Sequence, residues 1–193
     1  MPRIANEVFY KNAIKKYGLT PQGVCWRSYA HQHIRFEILC ELLPSNLQNY
    51  SLLDAGCGFG DLYSYLKNNH TLPKSYTGVD VVEMMCAIAR KKTGAEILHA
   101  DITQTEPPVH DYILCSGALN ILTPYETTAF INNCYKSAKK GFVFNALCAE
   151  KGSQTYNYLS KEHIERLAKE LNVAKLTLRE NYMEGDISVG FFK

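Results

Sequence analysis

The stretch Leu52-Leu53-Asp54-Ala55-Gly56-Cys57-Gly58-Phe59-Gly60-Asp61-Leu62 decides the fold of this chain, because an apolar strand runs into a glycine-dense turn and out into a helix. Glycines at alternate positions let the backbone turn sharply and let a small ligand approach main-chain N–H groups that side chains would otherwise cover. Asp54 stands where the strand ends. An acid there argues against a phosphate, which calls for bare amides or a lysine, and favours a ligand carrying a positive group.

Outward from that turn, strand and helix signals alternate. Ser51 to Ala55 reads as a first strand and Asp61 to Asn69 as the helix after it; Ser75 to Val79 as a second strand ending at Asp80, followed by a helix from about Val82 to Thr93. Ala95 to His99 gives a third strand ending at Asp101, and Asp111 to Cys115 a fourth. A Ser-Gly turn follows, then a helix from Pro124 to Ala138, a strand from Gly141 to Leu147 and a helix opened by Ser160 and running to Leu171. This rhythm predicts a Rossmann-like α/β fold, a doubly wound, mostly parallel sheet with helices on both faces. The tail breaks it: Val173 to Asn181 and Asp186 to Phe192 are strand-like with no helix between them, which predicts an antiparallel C-terminal hairpin at the sheet edge. Before residue 50 the pattern is helical, over Ile4 to Tyr17 and Gln32 to Leu43, with Gly18 to Gly23 as loop.

Size and composition frame what such a sheet does. A chain of 193 residues predicts one domain, divided into an N-terminal helical lid or substrate segment (1–49) and a cofactor-binding core (50–193). Hydrophobic residues make up 46% and charged residues 21%, ordinary globular usage, and no window approaches the roughly 18 apolar residues of a membrane span. The N-terminus lacks a signal-peptide pattern, so a cytoplasmic location is the expectation. Seven cysteines, odd in number, without a C-x-x-C pair or a cysteine–histidine cluster, predict reduced thiols and imply no metal site; Cys40, Cys115, Cys134 and Cys148 sit in apolar runs as core filler. A net charge of +2 gives no nucleic-acid footprint, and the basic runs Arg90-Lys91-Lys92 and Lys139-Lys140 read as helix ends.

In an open α/β sheet, ligands bind beyond the carboxyl ends of the strands, near the point where strand order reverses. Three acids fall at such ends: Asp54, Asp80 and Asp101. Asp80 lies twenty residues beyond Gly60, where an acid in a nucleotide fold accepts from ribose hydroxyls, and Asp101 is placed to accept from an adenine amine. A nicotinamide-dependent dehydrogenase shares the strand, turn and acid, but its G-x-G-x-x-G would put a third glycine at position 61, which is Asp61.

These residues resemble the class I S-adenosylmethionine-dependent methyltransferases. LLDAGCGFGDL looks like that family's first motif, TGVDVVEMMCAIA its second, HADI its third and DYILCSGALNIL its fourth, over roughly positions 50 to 193. The resemblance implies S-adenosyl-L-methionine as cofactor, with S-adenosyl-L-homocysteine as product. Asp54 and Gly56, with Cys57 in the same turn, would lie near the methionine moiety and Gly58 under the ribose. Asp80 would bind the ribose hydroxyls, Val81 would pack on the adenine, Asp101 with Ile102 would read its edge, and Ser116 would contact the cofactor by main chain.

On the acceptor side the residues leave alternatives open. Arg35 is a candidate contact for the cofactor's or the substrate's carboxylate, or one half of a surface ion pair. His31 is a candidate base or a hydrogen-bonded helix-start histidine, and Asn120 a candidate acceptor contact or a helix cap. Tyr10, Tyr17, Trp26, Tyr29, Tyr156 and Tyr158 are candidates for an aromatic lining or for packing. A small-molecule O- or N-methyltransferase is the leading expectation. A nucleic-acid or protein methyltransferase working with a partner, and a noncatalytic cofactor-binding module, are the alternatives.

Overall fold

The computed structural model describes residues 6–18, 20, 23, 28–148 and 156–193. Two helices, α1 (Asn6–Tyr17) and α2 (Tyr29–Glu41), lead into the alternating core: β1 (Ser51–Ala55), α3 (Asp61–Asn68), β2 (Ser75–Asp80), α4 (Glu83–Thr93) and β3 (Glu96–His99). Then come β4 (His110–Cys115), α5 (Pro124–Ser137), β5 (Ala138–Leu147), α6 (Lys161–Glu170), β6 (Lys175–Arg179) and β7 (Asp186–Phe192). The seven strands form one sheet in the order β3-β2-β1-β4-β5-β7-β6. Strands β1 to β5 pair in parallel, and β7 runs antiparallel between β5 and β6. The order reverses between β1 and β4, which places the topological switch point at the glycine turn after β1.

Both faces of the sheet are covered. On one, Leu53, Ile113, Phe142, Phe144, Val189 and Phe191 pack with Phe130, Ile131 and Cys134 of α5 and with Ile164 and Leu167 of α6. On the other, Leu52, Leu114 and Val143 meet Phe36 and Leu39 of α2, Leu62 and Leu66 of α3, and Cys86 and Ala89 of α4. Burial on both faces explains why the inner strands read as near-continuous apolar runs rather than as alternation. Local signals punctuate the helices, Ser160 among them as the sequence predicts. Thr123 and Glu126 close a capping box with Pro124 in the first turn of α5, Ser160 caps α6, and Gly94 ends α4 in the left-handed region at φ 68°.

The differences from the sequence reading are local. Helix α2 starts at Tyr29, three residues before the expected Gln32, because the Ser28 side chain accepts the His31 N–H and sets the N-cap. Lys139 and Lys140 do not end a helix: α5 stops at Ser137 and both lysines are exposed residues of β5. Strand β6 stops at Arg179, short of Asn181, which adopts a positive φ of 63°. Cys57, Cys86, Cys115 and Cys134 are buried, Cys40 and Cys148 half-buried, and all six are free thiols. Ile4, Cys25, Trp26 and, from the expected loop from Gly18 to Gly23, Leu19, Pro21 and Gln22 lie outside the described residues. No helix among the described residues is long and apolar enough to cross a membrane.

Candidate active site at the carboxyl edge of the sheet

The turn after β1 is built from three left-handed glycines, Gly56 at φ 82°, Gly58 at 53° and Gly60 at 76°. The N–H groups of Gly56 and Cys57 both donate to the carbonyl of Val79, at 2.8 and 3.0 Å, so the turn is stitched to the end of β2. At Gly56 a Cβ would stand 2.6 Å from Cβ of Ala118. Glycine is therefore required there by backbone conformation and by the close approach of the loop after β4.

Asp80, at the end of β2, is buried and lines the pocket beside this turn. Its Oδ2 accepts the Gly58 N–H at 2.9 Å and its Oδ1 the Val82 N–H at 2.9 Å. A carboxylate has about four acceptor sites, so each oxygen keeps capacity for a further donor. A carboxylate pinned by one backbone donor per oxygen suits the two neighbouring hydroxyls of a ribose. Burial pushes its pKa up while those backbone donors pull it down.

Asp54 is buried, lines the same pocket, and accepts the hydroxyl of Tyr76 at 2.5 Å. Burial raises its pKa to about 7, with Asp80 and Asp61 adding to the rise and the Tyr76 hydroxyl opposing it. Asp61, on the first turn of α3, is tied to Gln32 of α2 at 3.0 Å and to Lys92 of α4. Asp101 also lines the pocket. Its Oδ1 accepts the Thr103 N–H at 2.9 Å and the Thr103 hydroxyl at 2.7 Å, which fixes the turn after β3. Val81 and Ile102 stand in the wall with Met85, an apolar surface beside the two acids and suited to a flat heterocycle. The donor and acceptor set therefore fits an adenosine bearing a cationic tail.

The loop after β4 forms the opposite side. Ser116 lines the pocket, and its hydroxyl accepts from the Asn145 amide at 3.3 Å, while the Asn145 carbonyl oxygen accepts the Gly117 N–H at 2.9 Å. Asn120 lines the pocket too, yet its side-chain oxygen accepts the Leu147 N–H at 3.1 Å and its main-chain carbonyl accepts the Asn157 N–H at 2.8 Å. Asn120 thus clamps the end of β5 to the loop and caps no helix.

The remaining sequence candidates fall in different places. Arg35 is not at the surface: it lines the pocket from α2 with Nε donating to Oδ2 of Asp186 and an Nη donating to Oδ1 at 2.8 Å, a buried bidentate pair with β7. A guanidinium so engaged is largely committed to its internal partner. His31 lies outside the pocket lining, its Nδ1 2.7 Å from the Ser28 hydroxyl; its position favours the helix-start reading. Tyr10 and Tyr156 line the pocket, Tyr17 and Tyr29 are exposed away from it, Tyr158 bridges to Leu147, and Trp26 is outside the described residues. Sequence reasoning passed over Tyr76, Gln32, Asp186 and Asn145. Each works through a partner 22 to 151 residues away, so no local signal marks it.

Comparison with known proteins agrees with this geometry. Residues 52–141 match the family model described as a methyltransferase domain. Among curated proteins none matches the sequence. Among solved structures, the Synechocystis magnesium protoporphyrin IX methyltransferase with bound S-adenosylmethionine is 15% identical, with 100% of this chain and 86% of that one covered and a TM-score of 0.67. An S-adenosylmethionine-dependent methyltransferase from Leishmania major is 20% identical over 96% of this chain and 83% of its own, at 0.69. A possible histamine N-methyltransferase from Thermotoga maritima is 15% identical over 96% and 97%, also at 0.69. With the family model, the sheet order and the strand-end acids in agreement, residues 52–141 carry a methyltransferase domain, and the chain has the fold of enzymes that use S-adenosylmethionine to transfer methyl groups.

Proposed function

We propose that this enzyme transfers a methyl group to an oxygen or nitrogen of a small-molecule acceptor. One observation carries the reading: the pocket that contains Asp54, Asp80 and Asp101 is also walled by Tyr10, Phe36, Ile121, Leu122, Phe130 and Tyr156. An apolar and aromatic wall beside a few fixed polar groups is the lining of a small-ligand site. Structural neighbours named as a magnesium protoporphyrin IX methyltransferase, an N-acetylserotonin methyltransferase and a possible histamine N-methyltransferase support an acceptor of that class.

In this reading Asp80 holds the ribose with Gly58 beneath it, Asp54, Gly56 and Cys57 enclose the methionine end, Val81 packs on the adenine, Asp101 with Ile102 reads its edge, and the Ser116 main chain contacts the cofactor. The bound cofactor supplies a methyl already activated on a cationic sulfur. What falls to the protein is to orient the acceptor in line with that bond and to exclude water, which contributes up to about 7–11 kcal/mol of barrier reduction in favourable cases. Helix α1 helps to exclude water, since Tyr10 and Ile14 pack on Phe59, Val82 and Met85, over the glycine turn. The whole chain then acts as one domain, residues 1–49 giving the lid and substrate segment and 50–193 the cofactor core, working in the cytoplasm where its thiols stay reduced.

The test has two steps. Isothermal calorimetry with S-adenosylhomocysteine should show binding of about micromolar strength, and a metabolite-pool screen with methyl-labelled S-adenosylmethionine should label a small molecule. Label appearing in RNA or protein and in no metabolite would refute the acceptor class.

A further inference from the structure

Tyr76 stands in β2 with its ring edge-on to Tyr63, 5.1 Å between centroids, among the apolar side chains of one face of the sheet. For that packing a phenylalanine would do as well. The hydroxyl, however, is carried into the interior and ends on Asp54, 2.5 Å from Oδ2, at the wall of the ligand pocket. Burial holds the phenol far above its usual titration range, so it is a donor at every working pH, and a donated hydrogen bond favours the charged form of the acid that accepts it.

The surroundings of Asp54 all press the other way. From β2 it faces Asp80, from α3 Asp61, from the turn Cys57 and from β4 Cys115, in addition to Tyr76 itself. These are acids and thiols, and none supplies a positive charge. Lys92 is paired with Asp61, and Arg35 is engaged by Asp186. Among the described residues, the Tyr76 hydroxyl is thus the interaction that works toward an Asp54 carboxylate, and a ligand cation is what would complete it.

We propose that Tyr76 is a positioning residue that sets the pH at which Asp54 becomes the negative partner of the cofactor's ammonium group, so that cofactor binding is coupled to loss of the Asp54 proton. The inference rests on the reading above that the methionine end of the cofactor lies at Asp54. The proton balance is simple. Below its midpoint Asp54 is a neutral carboxylic acid, and binding of the ammonium expels that proton to solvent. Above the midpoint the carboxylate is already formed and binding releases nothing.

The experiment is calorimetric binding of S-adenosylhomocysteine to the full chain from about pH 5.5 to 8.5, repeated in buffers of different ionisation enthalpy to count protons. For the wild type, affinity should fall about tenfold per pH unit below the midpoint, with about one proton released per ligand there. Tyr76→Phe, which keeps the ring and its packing, should move the midpoint upward by a unit or more, so that binding at pH 7 is about tenfold weaker and recovers at high pH. Asp54→Asn should bind with an affinity that no longer follows pH and with no proton released. A merely structural tyrosine would weaken binding equally at every pH. Hence a Tyr76→Phe profile with the wild-type midpoint overturns the proposal, as does an Asp54→Asn variant that keeps the wild-type pH profile. Absence of binding by the wild type at any pH is a different failure, and overturns the placement of the cofactor itself.

Discussion

Asp54 carries a stability cost that the apoprotein should reveal. Its carboxyl passes from a usual value of 3.8 to about 7 on folding, so between roughly pH 4 and 7 the folded state holds a proton that the unfolded chain releases. Stability therefore falls as pH rises through that window, and the full penalty stands above it. A rise of about 3 units is worth at most about 4 kcal/mol. Asp54→Asn keeps the shape and an oxygen for the Tyr76 hydroxyl, and has no charge to desolvate. Urea unfolding of the two proteins without ligand should give a stability difference near pH 4 that moves in favour of the variant by up to about 4 kcal/mol near pH 8. Comparing the two pH values cancels what does not titrate, and the raised pKa values of Asp80 and Asp186 act in both proteins. Adding S-adenosylhomocysteine at pH 8 should stabilise the wild type more than the variant. Parallel stability curves, offset by a constant from pH 4 to 8, would refute the reasoning.

Three further outcomes follow from the same geometry. Gly56→Ala combines a φ of 82° with a Cβ 2.6 Å from that of Ala118; a loss of about 2 kcal/mol or more in unfolding free energy and no measurable cofactor binding are expected, and a variant that melts and binds like the wild type would be inconsistent with the turn described. Asp80→Ala removes the acceptor that fixes the Gly58 and Val82 N–H groups and should weaken S-adenosylhomocysteine binding about a hundredfold or more, read by calorimetry; a change under threefold would count against its ribose role. Arg35→Met leaves Asp186 buried without its cation and should cost about 3–5 kcal/mol near neutral pH, whereas Arg35→Met with Asp186→Leu should recover much of that loss in chemical unfolding.

The course of the chain was legible from sequence where the signal is local. Alternating strands and helices, the glycine turn at 56–60 and the capping Ser160 each act over a few residues, so the order of elements and the placement of acids at strand ends follow from periodicity and turn chemistry. The boundary errors have local causes too: the side chain of Ser28 starts α2 sooner than its apolar spacing suggests, and Lys139-Lys140 look like a helix end although the chain has already turned into β5.

By itself, then, the sequence determined the parallel sheet, its antiparallel close and the three acids Asp54, Asp80 and Asp101 at one edge, because strand direction fixes which end of each strand is which. Only the tertiary structure decided which partners these residues and those of the N-terminal segment take. It gave Arg35 to Asp186 across 151 residues of chain, gave Asn120 to the end of β5, left His31 outside the pocket and set the Tyr76 hydroxyl on Asp54. The charge and the donor count of a side chain are properties of its type, but its partner is chosen by burial. An acid or guanidinium removed from water must be satisfied by whatever polar group packing brings beside it, and that neighbour is named by the register of the sheet and the seat of α2, not by position along the chain.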